Sequence, residues 1–174
     1  MNFDDYAGHD ALGLAELVRK GEVSAAELEE TARRGIDVVN GTINAVVGDV
    51  PVAEGRQETT PDAVFHGVPF LLKDLAHGYA GVPCEMGSRM GAGYVNSAES
   101  VYGARCKASG LVAVGRTNTP EFGQSGTTEP VANGPTLNPY DLGGSAGGSS
   151  GGAAAAAAAG MVPIAHASDA GGSI

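Results

Sequence analysis

The sequence predicts an α/β fold: a largely parallel sheet covered by helices. Three observations carry this. Short continuous apolar runs at Val68–Leu72, Leu111–Gly115 and Met161–Ala165 read as strands buried on both faces. Helical segments at 99–109 and 150–159 separate them. Strand–helix–strand alternation of this kind implies parallel pairing through crossovers.

The elements follow in chain order. Asp10 can cap a helix with Leu12, Leu14, Leu17 and Val18 on its buried side, and Gly21 stops it. Ser24-Ala25-Ala26-Glu27 is a capping box, in which the serine hydroxyl takes the amide three residues on and the glutamate reaches back. The helix it opens carries Leu28, Ala32 and Ile36 on one face. Asn44–Val47 reads as a short strand, and 51–62, with Pro51 and Pro61, as a surface loop. Residues 1–60 thus form a largely helical region, and 61–174 begin the strand–helix core. Within that core, Glu99–Ser109 is a helix stopped by Gly110, and Ser150–Ala159 is a small-residue helix closed by Gly160. Seven consecutive alanines, Ala153 to Ala159, suit a helix packed very closely on a sheet.

Composition excludes several functions. The 174 residues carry 20 acidic and 10 basic side chains, a net charge of −10, which argues against nucleic-acid partners and anionic membrane surfaces. The longest low-polarity run, Gly151–Ala165, falls short of the ~20 residues that span a bilayer. The acidic N-terminus is no secretory signal. Cys84 and Cys106 make no disulfide framework and fit a reduced cytoplasm. No His/Cys cluster suggests a metal, and His9, His66, His77 and His166 are scattered.

Three segments can carry chemistry, each at a strand end or in a glycine-rich loop, where open α/β sheets place their ligands. In Gly67-Val68-Pro69-Phe70-Leu71-Leu72-Lys73-Asp74, the lysine follows five apolar residues. Burial disfavours an ammonium and turns a lysine into a base. The alternative is a strand-end lysine paired with Asp74 or solvated. Gly143-Gly144-Ser145-Ala146-Gly147-Gly148-Ser149-Ser150-Gly151-Gly152 leads into the alanine helix. Helix N-terminal amides suit an anion, and Gly147–Gly151 matches a nucleophile-elbow pattern, although a run so rich in Gly and Ser also reads as a linker. Ser168-Asp169-Ala170-Gly171-Gly172-Ser173 follows the 161–165 strand. A turn there can aim consecutive N–H groups at one point beside a hydroxyl, the geometry of an oxyanion hole with its nucleophile, or it can be an ordinary turn.

The combination is more specific than its parts. A strand-end lysine is followed 76 residues later by Ser149 in G-G-S-S-G-G, and 24 residues further by the serine of D-x-G-G-S. This order, with Gly115-Arg116-Thr117-Asn118-Thr119-Pro120-Glu121-Phe122 between, resembles the amidase signature family of Ser–cis-Ser–Lys amide hydrolases. Leu71-Leu72-Lys73-Asp74-Leu75, Thr127-Thr128-Glu129-Pro130 and Pro163-Ile164-Ala165-His166 look most like its branch of 6-aminohexanoate cyclic-dimer hydrolases and aryl acylamidases. The resemblance implies the amidase signature fold, with a mixed, largely parallel sheet covered by helices on both faces.

It also implies roles. Ser173 matches the nucleophile, Ser149 the bridging serine whose bond with Gly148 is cis, and Lys73 the base. Backbone amides of Ala170, Gly171, Gly172 and Ser173 match the oxyanion hole, and Asp169 a position that braces that loop. Gly123, Gln124 and Ser125 fall where the family lines its acyl pocket. For this route Asp74 must point away from Lys73. The expected activity is hydrolysis of a linear or cyclic amide, anilide or carbamate through an acyl-enzyme, with no metal or cofactor. The expected partner is a small-molecule amide. Dimers are common in the family, which leaves a homodimer open. Arg116 and Glu129 read as packing or salt-bridge residues. The sequence departs from the usual family pattern at Tyr140, Ala146 and Ala170.

Other readings compete. The same three residues serve the glutaminase subunit of a tRNA-dependent amidotransferase. A non-catalytic binding module and a Ser-His-Asp hydrolase built on Ser149 are the others. The matched nucleophile is the second-to-last residue, so the expectation is an N-terminal part of one larger amidase domain whose remainder follows residue 174.

Overall fold

The computed structural model describes residues 1–51, 55 and 61–174. Most of the expected 51–62 loop lies outside the described residues.

Three helices open the chain: α1 (Phe3–Ala7), α2 (Ala11–Arg19) and α3 (Ala25–Ile43). The Asp10 side chain accepts from Gly13 N at the start of α2, and Ser24 with Glu27 forms the expected capping box at the start of α3. Leu12 corrects one expectation, for it is 55% exposed. The buried stripe of α2 runs through Ala11, Leu14 and Ala15, and Leu12 lies about 200° around the helix from Leu14.

Strands β1 (Val46–Asp49), β2 (Pro69–Lys73) and β3 (Val112–Thr117) form a mixed sheet in the order β1-β3-β2. β1 starts two residues later than expected. β2 and β3 pair in parallel, from Pro69 opposite Val112 to Lys73 opposite Thr117, and β1 runs antiparallel on the other edge of β3. Both β2 and β3 are buried along their whole length. The crossover between them carries α4 (Val101–Ala108), capped by Ser100 and followed by Gly110 at φ +92°, a conformation that favours glycine.

Side chains alternate across β2 and divide the core in two. Phe70 and Leu72 join Tyr6, Leu14, Leu28 and Tyr79 on one face. Leu71 joins Ile43, Val112, Val114, Ala155, Ala156 and Met161 on the other, beneath α5 (Gly151–Ala158). Helices therefore cover both faces of the sheet. By the same alternation Lys73, two residues after Leu71, points toward the α5 side.

The expected strand at 161–165 is a correction. Only Ala165 bridges to Leu71, with His166 N donating to Leu71 O at 2.8 Å. Pro163 has no N–H to give to a ladder, so Met161 and Val162 are buried as irregular chain. The glycine-rich segment before α5 is not a plain loop either. β4 (Leu137–Asn138) and β5 (Asp141–Ser145) form a two-stranded antiparallel hairpin there.

Candidate active site

The lysine at the end of β2 is completely buried. Its Nζ donates to Ser149 Oγ at 2.7 Å, to Ser150 Oγ at 2.9 Å and to Ser168 O at 3.2 Å. All three partners are uncharged. Burial pushes the ammonium below the ordinary lysine range, and the Asp169 charge opposes that shift. Neither simple alternative for Lys73 holds, because it is neither solvated nor paired with Asp74.

Asp74 points elsewhere. Its carboxylate accepts from Arg116 Nη1 at 2.6 Å and from the amides of Glu85 (2.9 Å) and Gly87 (3.4 Å). Arg116 also reaches Glu85 at 3.2 Å. Asp74, His77 and Cys84 bring three ligand-capable atoms within 4.8 Å of one another. Asp74 is already paired with a guanidinium. His77 Nδ1 accepts from Tyr79 N at 3.1 Å, which leaves Nε2–H to donate to Pro83 O at 3.0 Å. The cluster is thus a filled hydrogen-bond network.

Ser149 sits just before α5, and its peptide bond with Gly148 is cis. The loop is held by threonines. Thr119 Oγ1 donates to Ser149 O at 3.0 Å, and Thr128 Oγ1 to Gly147 O at 2.8 Å. Beneath it, Gly152 lies against backbone: a Cβ there would stand 2.4–2.7 Å from Asn118 N, Asn118 O and Ala45 O. The Ala/Gly composition of this helix start is what lets it dock so closely.

Ser173 is half-buried, and its carbonyl accepts from Ser150 N at 3.2 Å. It lines a cavity of about 450 Å³ with Gly147, Gly148, Ser150 and Ala154. The structure therefore brings the D-x-G-G-S turn against the serine loop by a backbone bond. Among the described residues, no hydrogen bond joins the Ser173 hydroxyl to Ser149. In the turn itself, the Asp169 carboxylate accepts from the amides of Gly171 (2.7 Å), Gly172 and Ile174 (3.1 Å). These bonds, led by Gly172, hold its carboxyl at about 2. Ala170 is exposed beside them.

The segment 123–125 borders the same loop. The Cβ direction of Gly123 passes 3.4 Å from Ser149 Oγ, and that of Gly148 3.0 Å from Ser125 O. Gln124 instead folds its side chain onto Phe122 O.

A model of the amidase family matches residues 30–174. The chain belongs to the amidase family. Among amidase relatives, it is 44% identical over 170 residues to the 6-aminohexanoate-cyclic-dimer hydrolase of Paenarthrobacter ureafaciens, covering 95% of this chain and 34% of that protein. It is 38% identical over 178 residues to an acylamidase of Rhodococcus erythropolis, covering 94% and 36%. A solved 6-aminohexanoate cyclic dimer hydrolase superposes with a TM-score of 0.85 at 42% identity, covering 92% of this chain and 34% of that one. The chain spans about a third of the length of the curated amidases it matches. Among the described residues, no helix is long and apolar enough to cross a membrane.

Two features of this candidate site escaped sequence reasoning. Ser150 contacts Lys73 as Ser149 does, and nothing in an S-S pair says that both hydroxyls face one amine. Arg116 is a salt-bridge residue as expected, but its partner Asp74, 42 positions away, is not legible in the sequence.

Proposed function

We propose that the whole protein hydrolyses a carboxylic amide through an acyl-enzyme on Ser173, activated by Ser149 and Lys73. The observation that carries this reading is the buried Lys73 Nζ, 2.7 Å from Ser149 Oγ with only uncharged partners. A neutral amine keeps two N–H groups and one lone pair. The three contacts at Nζ then become two donations and one acceptance, which is what a base needs.

The steps balance as a proton relay. Ser173 Oγ attacks the amide carbon while its proton passes to Ser149 Oγ and the Ser149 proton to Lys73 Nζ. The carbonyl electron pair moves onto oxygen, where amides of the 170–173 turn receive it. That the amides of Gly171 and Gly172 already converge on one carboxylate oxygen supports the role. Acylation requires the turn to hand them from Asp169 to the substrate oxygen. The C–N bond then breaks, the amine leaves with the proton returned through Ser149, and water releases the acid by the same path. Only protons and an acyl group move, so the route calls for no redox cofactor.

The substrate class is a linear or cyclic amide, anilide or carbamate. The names of the relatives, one a cyclic-dimer hydrolase and one an acylamidase, support it. In this reading Gly123 and Ser125 flank the acyl group, which their approach to the Ser149 loop supports, whereas the Gln124 side chain donates to Phe122 O. The test is release of the arylamine from an acyl-nitroanilide by the whole protein, without ATP or partner. Turnover that disappears in Ser173→Ala supports the reading. Turnover unchanged in that variant, or strictly dependent on a partner subunit, contradicts it.

A further inference from the structure

Lys73 and Asp74 are consecutive residues, both buried, with opposite formal charge, and they do not pair. As consecutive residues at a strand end they project to opposite sides, and on the Asp74 side the neighbouring strand supplies the partner. Arg116, on β3, places Nη1 2.6 Å from Asp74 Oδ1 and is itself buried. Opposite it on β1, Gly48 leaves room for the guanidinium: a Cβ there would stand 2.2 Å from Nη2. Glu85, a third of its side chain exposed, steadies the outer edge of the guanidinium.

We propose that Arg116 is a positioning residue for the base: by holding the Asp74 carboxylate, it keeps Lys73 Nζ available to Ser149. The inference rests on the reading of Lys73 as the base. An uncompensated carboxylate buried next to a lysine favours the ammonium through its field, even where the two side chains project to opposite sides. With Asp74 committed to Arg116, the two charges on that side cancel, and desolvation acts on Lys73 unopposed from that direction.

Other charges face the site. Asp169, from the turn, favours the ammonium. His166, before the turn, is neutral because burial holds it at about 4. His77 borders Asp74 and Arg116, and burial lowers its pKa. Glu85 faces Arg116 from the outside. Of these, only the Asp74–Arg116 pair can be unbalanced by a single substitution in either direction, which gives the test opposite signs.

The experiment measures kcat/KM against pH on an acyl-nitroanilide, using the whole protein and five variants whose folding is verified by thermal melting. Arg116→Met frees the carboxylate, so the acid limb moves up by about one pH unit or more. Asp74→Asn leaves the guanidinium with only the partly exposed Glu85, so the limb moves down. The double variant removes both charges and returns the limb to near the wild-type position. Arg116→Lys keeps a cation and shifts the limb less than Arg116→Met. A purely structural role for Arg116 would lower stability or kcat without moving the limb in opposite directions. If Arg116→Met does not fold, Asp74→Asn decides: a downward limb supports the proposal, and an unmoved or upward limb overturns it. Lys73→Met separates the two readings. Activity lost there with unmoved limbs in the other variants overturns the clamp alone. Activity retained there overturns the base itself.

Discussion

Lys73 Nζ lies 2.7 Å from Ser149 Oγ, although 75 residues separate the two in sequence. The contact is made where the buried end of β2 meets the start of α5. That crossing exists because Leu71, two residues before the lysine, packs under Ala155 and Ala156. The small-residue helix brings its N-terminal loop down onto the strand end.

Removal of either member of this pair lowers turnover. Lys73→Ala and Ser149→Ala each reduce kcat by about 10² to 10⁴, with KM changed far less, because both act on the proton in flight. Steady-state kinetics on an aryl amide checks this. A Lys73→Ala variant that keeps near-normal kcat would instead favour a nucleophile-elbow mechanism on Ser149.

Close docking of α5 makes a stability prediction with an internal control. Gly152→Ala drives a methyl into the backbone of Asn118 and Ala45 and costs about 1–3 kcal/mol. Gly41→Ala, in α3 with nothing within 4 Å of its Cβ direction, stabilises by up to about 1 kcal/mol. Thermal or urea unfolding of both variants reads the contrast. Equal effects would mean that α5 does not pack as described.

His166 gives a pH prediction. It is buried against Tyr102 with ring centroids 4.8 Å apart, its Nδ1 lacks a hydrogen-bond partner among the described residues, and its pKa is depressed to about 4. The cause is burial first, then the charges of His77 and Lys73. Between about 6.5 and 4 the unfolded chain binds a proton that the folded one refuses. Stability is therefore fully present above pH 6.5 and declines as pH falls through that window. Urea midpoints at pH 7, 6, 5 and 4 show the decline, and His166→Gln flattens it. An unchanged slope in the variant would assign the effect to other groups.

How much was legible in the sequence follows from how local each signal is. The capping box at Ser24 and the uniformly apolar runs of β2 and β3 are written within a few residues, and they appear where expected. The 161–165 run looked like a third strand because hydropathy ignores the missing N–H of Pro163. The hairpin at 137–145 was hidden by glycines that carry no alternation. Leu12 was misplaced because a helix face depends on phase, and two-residue spacing reverses it. At the site, the lysine, the serine loop and the terminal turn were legible as an ordered set. The Asp74–Arg116 pairing and the second serine at Lys73 were not, since both depend on strands that meet only in the fold.

The proposed mechanism puts the acyl group on Ser173. The most direct measurement is the intact mass of the whole protein, quenched during reaction with a slowly deacylating aryl ester or amide, followed by peptide mapping. One acyl adduct is expected on Ser173, absent in Ser173→Ala and formed far more slowly in Lys73→Ala. An adduct on Ser149 or Ser150, or full turnover with no adduct at Ser173 under conditions where deacylation limits the rate, would contradict it.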